Sequence, residues 1–160
     1  MTDLERRVNR LVRIEQAERL RHDYAAYTDI WLDDPARFGN FAALFTEDGG
    51  WDDGDGEGPL HGHDAIAAKL GTLAEHHGLD RGLHLVGNPR MDVAATRIDG
   101  QWQMLCMVRA AGSAEPGFAG GRYREVYDDE AGALRIASNV TLPAFLPGTP
   151  AEHHRSDGED

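Results

Sequence analysis

The stretch RGLHLVGNPR, Arg81 to Arg90, decides the fold. Before it the chain reads as helices; from it onward the chain reads as strands. Successive residues of a strand face opposite sides. Gly82, His84 and Val86 therefore share one face, and Leu83 and Leu85 share the other. An imidazole in so apolar a segment needs a reason. If Leu83 and Leu85 pack on a core, His84 faces whatever lies opposite. Either one backbone hydrogen bond satisfies the ring, or a partner elsewhere in the chain gives it a role.

Upstream, Leu4, Val8, Leu11, Ile14, Ala17, Leu20, Tyr24, Tyr27 and Trp31 recur every three or four residues. That spacing predicts a helix from Asp3 to about Leu32, with Thr2 or Asp3 as its cap. Asp33-Asp34-Pro35 ends it and opens a second helix. Asp34 suits the N-cap and Pro35 the first turn, and the helix carries Phe38, Phe41, Ala42, Leu44 and Phe45. EDGGWDDGDGEG, Glu47 to Gly58, is acidic and glycine-rich; it reads as a short strand around Trp51 and then a loop. Pro59 to Gly62 leads into a third helix, His63 to about His76.

After Gly78, strands are expected at about 82–88, 91–98, 101–111, 118–128 and 132–141. Asp99-Gly100 is a two-residue hairpin signal, and Asp128 to Gly132 gives another turn. Helices first and antiparallel strands after is the order of an α+β domain. Residues 1–145 make one domain, and 146–160 read as a polar tail.

The chain has 160 residues, enough for one core and a pocket. Acidic residues outnumber basic ones 28 to 16, a formal charge of -12. Such a surface repels phosphate backbones and anionic membranes, which argues against nucleic acid and membrane partners. A neutral or cationic small ligand is easier to reconcile with it. Cys106 is the single cysteine. With a charged N-terminus and no apolar run of the roughly 20 residues a span needs, this predicts a cytoplasmic location.

Asp29 is the partner that would give His84 a role. It lies near the end of the first helix in DYAAYTDIW, an apolar setting for a carboxylate. A carboxylate that accepts the imidazole N–H fixes the tautomer and stabilises the cation formed on proton uptake. The pair would then act as a general base. The plain alternative for Asp29 is a solvated helix end, like Asp33 and Asp34. Tyr24, roughly 140° around the helix from Asp29, can border the same cavity.

Other features read as structural. His61 and His63, His76 and His77, and His153 and His154 sit at junctions or in the tail and make no convincing metal site; His22 reads as exposed. Cys106 reads as core. Ser113 and Ser138 lack a nucleophile elbow, and Gly117 to Gly121 is followed by no helix that would make it a phosphate loop. The acidic loop Asp52 to Glu57 lacks the register of a calcium loop.

The order of these motifs is Tyr24-x4-Asp29, FAALFTEDGGW, GHDAIAAKL, GLHLVGNPRMDV, then GGRYREVY and ALRIASN. Over about residues 3 to 145 it resembles the nuclear-transport-factor-2-like superfamily. Within that superfamily it resembles the SnoaL-like group, which includes scytalone dehydratase, bile acid 7α-dehydratase and hexachlorocyclohexane dehydrochlorinase. The resemblance implies an α+β cone, a strongly bent sheet wrapped by helices. It implies a catalytic pair of Asp29 and His84, with Tyr24 assisting.

It also implies a pocket lined by Trp51, and Tyr27, Met104, Cys106 and Asn139 are further candidates to line it. No late-strand arginine is assigned: Arg122, Arg124 and Arg135 are nearby, and register decides which faces inward. The implied activity is a cofactor-independent, metal-free lyase acting by elimination on a hydrophobic cyclic small molecule. A polyketide cyclase, a ketosteroid-isomerase-like isomerase, or a non-catalytic binding or assembly protein are the alternatives. Assembly into a homo-oligomer is expected, the trimer of the lyases ahead of the dimer of the isomerases, through a strand face carrying Trp102 or Leu105.

Overall fold

The computed structural model describes residues 2–30, 34 and 36–146. The described residues form three helices, α1 (Asp3–Thr28), α2 (Ala36–Ala42) and α3 (His63–His76); the first two open the chain and the third follows its first two strands. Six strands form one mixed sheet: β1 (Phe45–Asp52), β2 (Leu60–His61), β3 (Leu79–Val93), β4 (Arg97–Ala110), β5 (Gly117–Glu130) and β6 (Ala133–Phe145). Their order across the sheet is β2-β1-β6-β5-β4-β3. All neighbours are antiparallel except β1 and β6, which run parallel. The architecture is α+β, and no described helix is long and apolar enough to cross a membrane.

Helix α1 opens with a capping box. The Thr2 hydroxyl accepts the Glu5 N–H at 3.2 Å, and the Glu5 carboxylate accepts the Thr2 N–H. Its inner stripe is Ala17, Leu20, Tyr24, Ala25 and Thr28, whereas Leu4, Val8 and Leu11 at its start are exposed. The stripe meets Phe41 of α2, Ile66 and Leu70 of α3, and one face of the sheet: Phe45, Trp51, Ile98, Trp102, Tyr123, Tyr127, Leu134 and Ile136.

Helix α1 stops at Thr28 and not near Leu32; Trp31, Leu32, Asp33 and Pro35 lie outside the described residues. Asp29 is already extended (φ -63°, ψ 129°), and the next N–H, of Ile30, bonds to the Gly82 carbonyl of β3 at 3.1 Å. A tertiary hydrogen bond thus takes the chain off the helix before its apolar periodicity ends. Helix α2 likewise ends early. Leu44 lies beyond it and Phe45 begins β1, because Ile136 N–H bonds to the Leu44 carbonyl and draws this segment onto β6.

The strands differ from expectation at three places. The segments expected at 82–88 and 91–98 are largely one strand, β3, interrupted by a bulge between Gly87 and Arg90. Asn88 in it has a positive φ of 50°, and Pro89 costs no ladder bond there. Asp99-Gly100 is not a turn. It lies inside β4, with Gly100 opposite Met91 on one side and Glu125 on the other. A Cβ on Gly100 would come 3.1 Å from the Tyr127 ring, so the glycine serves packing. The β3–β4 turn is at 94–96, closed by Ala94 N–H to the Arg97 carbonyl at 2.8 Å. Strand β2, unexpected from sequence, is a two-residue pairing with Gly50 and Trp51.

The faces of β3 are as alternation requires, but the core lies on the other side from the leucines. Leu83 and Leu85 are outward and exposed, with Leu105, Met107 and Phe118 on the same outer face. Gly82 and His84 face the helices. Trp102, expected on an exposed face with Leu105, is buried, and its indole N–H donates to the Tyr127 hydroxyl at 3.0 Å. The two residues are an odd number apart on β4 and so face opposite ways.

Ala131-Gly132 forms the β5–β6 turn with φ of 50° and 83°, the signs a type I′ hairpin needs at both positions. Alanine is strained there, and asparagine is not. Ala131→Asn is expected to raise thermal stability by about 0.5–1 kcal/mol, and Gly132→Val to lower it by roughly 1–2 kcal/mol. Thermal unfolding followed by circular dichroism measures both.

Candidate functional site

Asp29 ends α1 against the edge strand β3. One carboxylate oxygen, Oδ1, accepts twice from His84: from the backbone N–H at 2.8 Å and from ring Nδ1 at 3.0 Å. A carboxylate at a helix C-terminus is disfavoured by the helix dipole, and these two donors offset that cost. Arg37 of α2 donates to the Asp29 backbone carbonyl. A Cβ on Gly82 would meet Ile30 Cδ1 at 2.9 Å, so a larger residue there would need the Ile30 side chain to shift.

Asp29 is buried and the His84 side chain is largely so. Thr28 places its hydroxyl 3.4 Å from His84 Nδ1, and Cys106 lies directly across from His84 on β4. Burial alone would favour the neutral ring. The hydrogen bond to Asp29 and the charge of that carboxylate, with a contact to Cys106, outweigh it and raise the His84 pKa from 6.5 to about 9. The resting imidazole is therefore a cation at neutral pH. Once deprotonated it keeps its proton on Nδ1, beside Asp29, and offers Nε2 as the base.

Tyr24 lies one helical turn earlier. Its hydroxyl accepts the Trp51 indole N–H at 2.7 Å and reaches the Asn139 carbonyl oxygen at 3.3 Å. Burial pushes its phenol well above the ordinary range, so it stays a hydroxyl. Its ring meets Phe41 edge-on, with centroids 4.8 Å apart. The expected site residues thus fall into two adjoining groups, His84 with Asp29, and Tyr24 with Trp51 and Asn139. Cys106 and Met104 share the face between the strands, their sulfurs 3.4 Å apart. Tyr27 is half-buried and packs against the aromatic core. A groove of about 500 Å³ lies on the outer side of β3 and β4, lined by Arg81, Leu83, Met107 and Arg109; neither His84 nor Asp29 lines it.

Arg122 and Arg124 are exposed on the outer face of β5, and Arg135 pairs with Asp128 off the core face. The inward arginine comes instead from α1. Arg21 is fully buried, with Nη1 donating to Glu125 Oε1 at 2.6 Å. Asn139 Nδ2 donates to the same oxygen at 3.0 Å, and Tyr127 donates to Glu125 Oε2. The sequence held one signal for Arg21: it sits four residues after Ala17 and three before Tyr24, on the buried stripe.

The histidine doublets behave as structural groups. His63 Nε2 contacts the Phe45 carbonyl at 3.1 Å, and His76 packs edge-on to His77. Among the described residues no cluster of three or more His, Cys, Asp or Glu could hold a metal; His153 and His154 lie outside them. In the acidic loop Lys69 supplies the cation, reaching Asp53 at 3.6 Å and Glu57 at 3.3 Å and bonding to Asp55.

Residues 10–139 match the model of the SnoaL-like domain family. Among solved structures, the chain is similar to hexachlorocyclohexane dehydrochlorinase LinA-type3 from Novosphingobium barchaimii LL02. The identity is 18%, over 91% of this chain and 94% of that one, with a TM-score of 0.74. It is similar to a candidate scytalone dehydratase from Novosphingobium aromaticivorans DSM 12444, at 20% identity over 84% and 86% of the two chains, TM-score 0.70. ActVI-ORFA from Streptomyces coelicolor matches at 18% identity over 83% and 98%, TM-score 0.66. At such identities the likeness shows the fold alone. No curated protein matches the sequence.

The raised His84 pKa makes stability depend on pH. Between about 6.5 and about 9 the folded chain holds a proton that the unfolded chain has released. The contribution is full below pH 6.5 and is lost as pH rises through about 9. Urea unfolding from pH 6 to 10 is expected to show a loss of about 3 kcal/mol from this group. Asp29→Asn removes the charge that holds the proton and should flatten most of that slope.

Proposed function

Because the chain belongs to the SnoaL-like domain family, we propose that it is a cofactor-independent lyase that eliminates a small group from a hydrophobic, cyclic small molecule. The observation that carries this reading is the double grip of Asp29 Oδ1 on the backbone and ring of His84. A ring held at both points has one orientation and one tautomer, as a general base requires.

In the proposed reaction His84 Nε2 removes a proton next to a carbonyl or a leaving group. Asp29 stabilises the imidazolium that results. Tyr24 assists the leaving oxygen. Its hydroxyl proton rests on Asn139 at 3.3 Å, a long contact from which it can turn to a substrate oxygen, while the Trp51 N–H stabilises charge gathering on the phenol oxygen. Tyr27 and Met104, partly buried against the aromatic core, would present the substrate with apolar surface.

His84→Ala is expected to lower turnover by ~10²–10⁴-fold on the true substrate, with folding retained. Full activity in that variant would refute the reading. Because a base must first lose its proton, kcat/KM in the wild type should rise about tenfold per pH unit and level off near pH 9. A profile already flat from pH 6 would exclude His84 as the base. Product mass separates elimination, which loses water or acid, from isomerisation or cyclisation, which leave the mass unchanged.

A further inference from the structure

Six large apolar side chains stand together on the outer face of the sheet, and all six are exposed. They are Leu83 and Leu85 of β3, Leu105 and Met107 of β4, Phe118 of β5 and Phe145 of β6. Register sets them in two adjacent rows across the strands. One row is Leu83, Met107 and Phe118; the next is Leu85, Leu105, Gly120 and Phe145. Gly120 is the gap in the second row, and the Phe145 ring fills it: a Cβ on Gly120 would come 2.4 Å from Phe145 Cζ. The patch is therefore continuous over four strands.

Scattered exposed leucines are ordinary, but a contiguous patch marks a contact surface. Leu85 is 60% exposed and each phenylalanine 50%. The six side chains leave on the order of 600 Å² of apolar surface in water, the upper end of what a monomer carries. Each partner in a standard interface contributes about 800 Å², so the patch with a polar rim is one half of such an interface. The groove lined by Arg81, Leu83, Met107 and Arg109 opens at one end of it and gives relief that an opposing side chain can enter. Beyond the second row the face turns polar and basic, with Gln103 and Arg122, then Arg90, Gln101 and Arg124.

We propose that a second copy of this chain covers this face, with Leu85 and Leu105 at the centre of the contact. Copies with a formal charge of -12 repel each other over most of their surface. The two apolar rows hold no carboxylate, so repulsion is least where they face each other. The patch is also its own complement: a two-fold axis across the strands lays the rows of one copy on those of the other. The same axis sends Arg122 and Arg124 of the two copies to opposite ends of the contact. Leu83 and Leu85 flank His84, and Leu105 and Met107 flank Cys106. The contact thus braces, from outside, the two strands whose inner face carries these groups. It stands independently of the catalytic reading.

Sedimentation equilibrium on the full chain tests this. Wild type at about 50 µM is expected at twice 17.6 kDa or a higher multiple. Leu85→Glu sets a charge at the centre of the patch and should raise the dissociation constant roughly 30-fold or more. Its circular dichroism spectrum should be unchanged, because the side chain is exposed. If that variant does not fold, Leu105→Ser, a smaller change in the same row, should weaken assembly in the same direction. Leu11→Glu, on the exposed start of α1, should leave the mass as it is. An apolar contact between like-charged copies should hold or tighten in about 0.5 M sodium chloride. A wild-type mass of 17.6 kDa, an assembly unmoved by Leu85→Glu and by Leu105→Ser, its loss in Leu11→Glu, or its dissociation by salt would each overturn the proposal.

Discussion

The grip of one carboxylate oxygen of Asp29 on two donors of His84 sets the geometry around it. It ends the long helix, because a residue that reaches across to β3 cannot continue the α1 backbone. It fixes where α1 meets the sheet, since the next residue bonds its N–H to Gly82. It also satisfies one outward backbone donor, the His84 N–H, of an edge strand that has β4 on one side only. One side chain thus joins helix termination, sheet-edge protection and imidazole orientation.

Beneath that contact the polar groups of the core run in one direction. The Trp51 N–H donates to Tyr24, Tyr24 donates to the Asn139 carbonyl, and the Asn139 amide donates to Glu125. From the other side the Trp102 N–H donates to Tyr127, and Tyr127 donates to Glu125. Every donor in both chains finds an acceptor, and both end on one carboxylate that Arg21 neutralises. A buried network of this kind is costly when half made and rigid when complete. The orientation of the Asn139 amide follows from it: Nδ2 must face Glu125, so the oxygen must face Tyr24.

Parity and periodicity made part of this legible. Alternation along β3 separates His84 from Leu83 and Leu85, and the third helix runs from His63 to His76 as its apolar spacing indicates. What alternation lacks is a sign. Apolar Leu83 and Leu85 looked like the core side, and they lie outside. Asp99-Gly100 looked like a turn because glycine was weighed for its conformational freedom, whereas the demand at Gly100 is room for the Tyr127 ring. Arg21 was passed over because one charge on an apolar helical stripe has no meaning until Glu125, 104 residues later, is set opposite it. Register across β4, β5 and β6 decides that pairing, and no local pattern encodes it.

Strength at the Asp29–His84 contact carries a cost for catalysis. The bonds that fix the ring also hold its proton, and with a pKa near 9 only about one molecule in a hundred has the neutral base at pH 7. The same shift makes each neutral ring a stronger base, and by Brønsted behaviour part of the loss in population returns as a faster proton transfer.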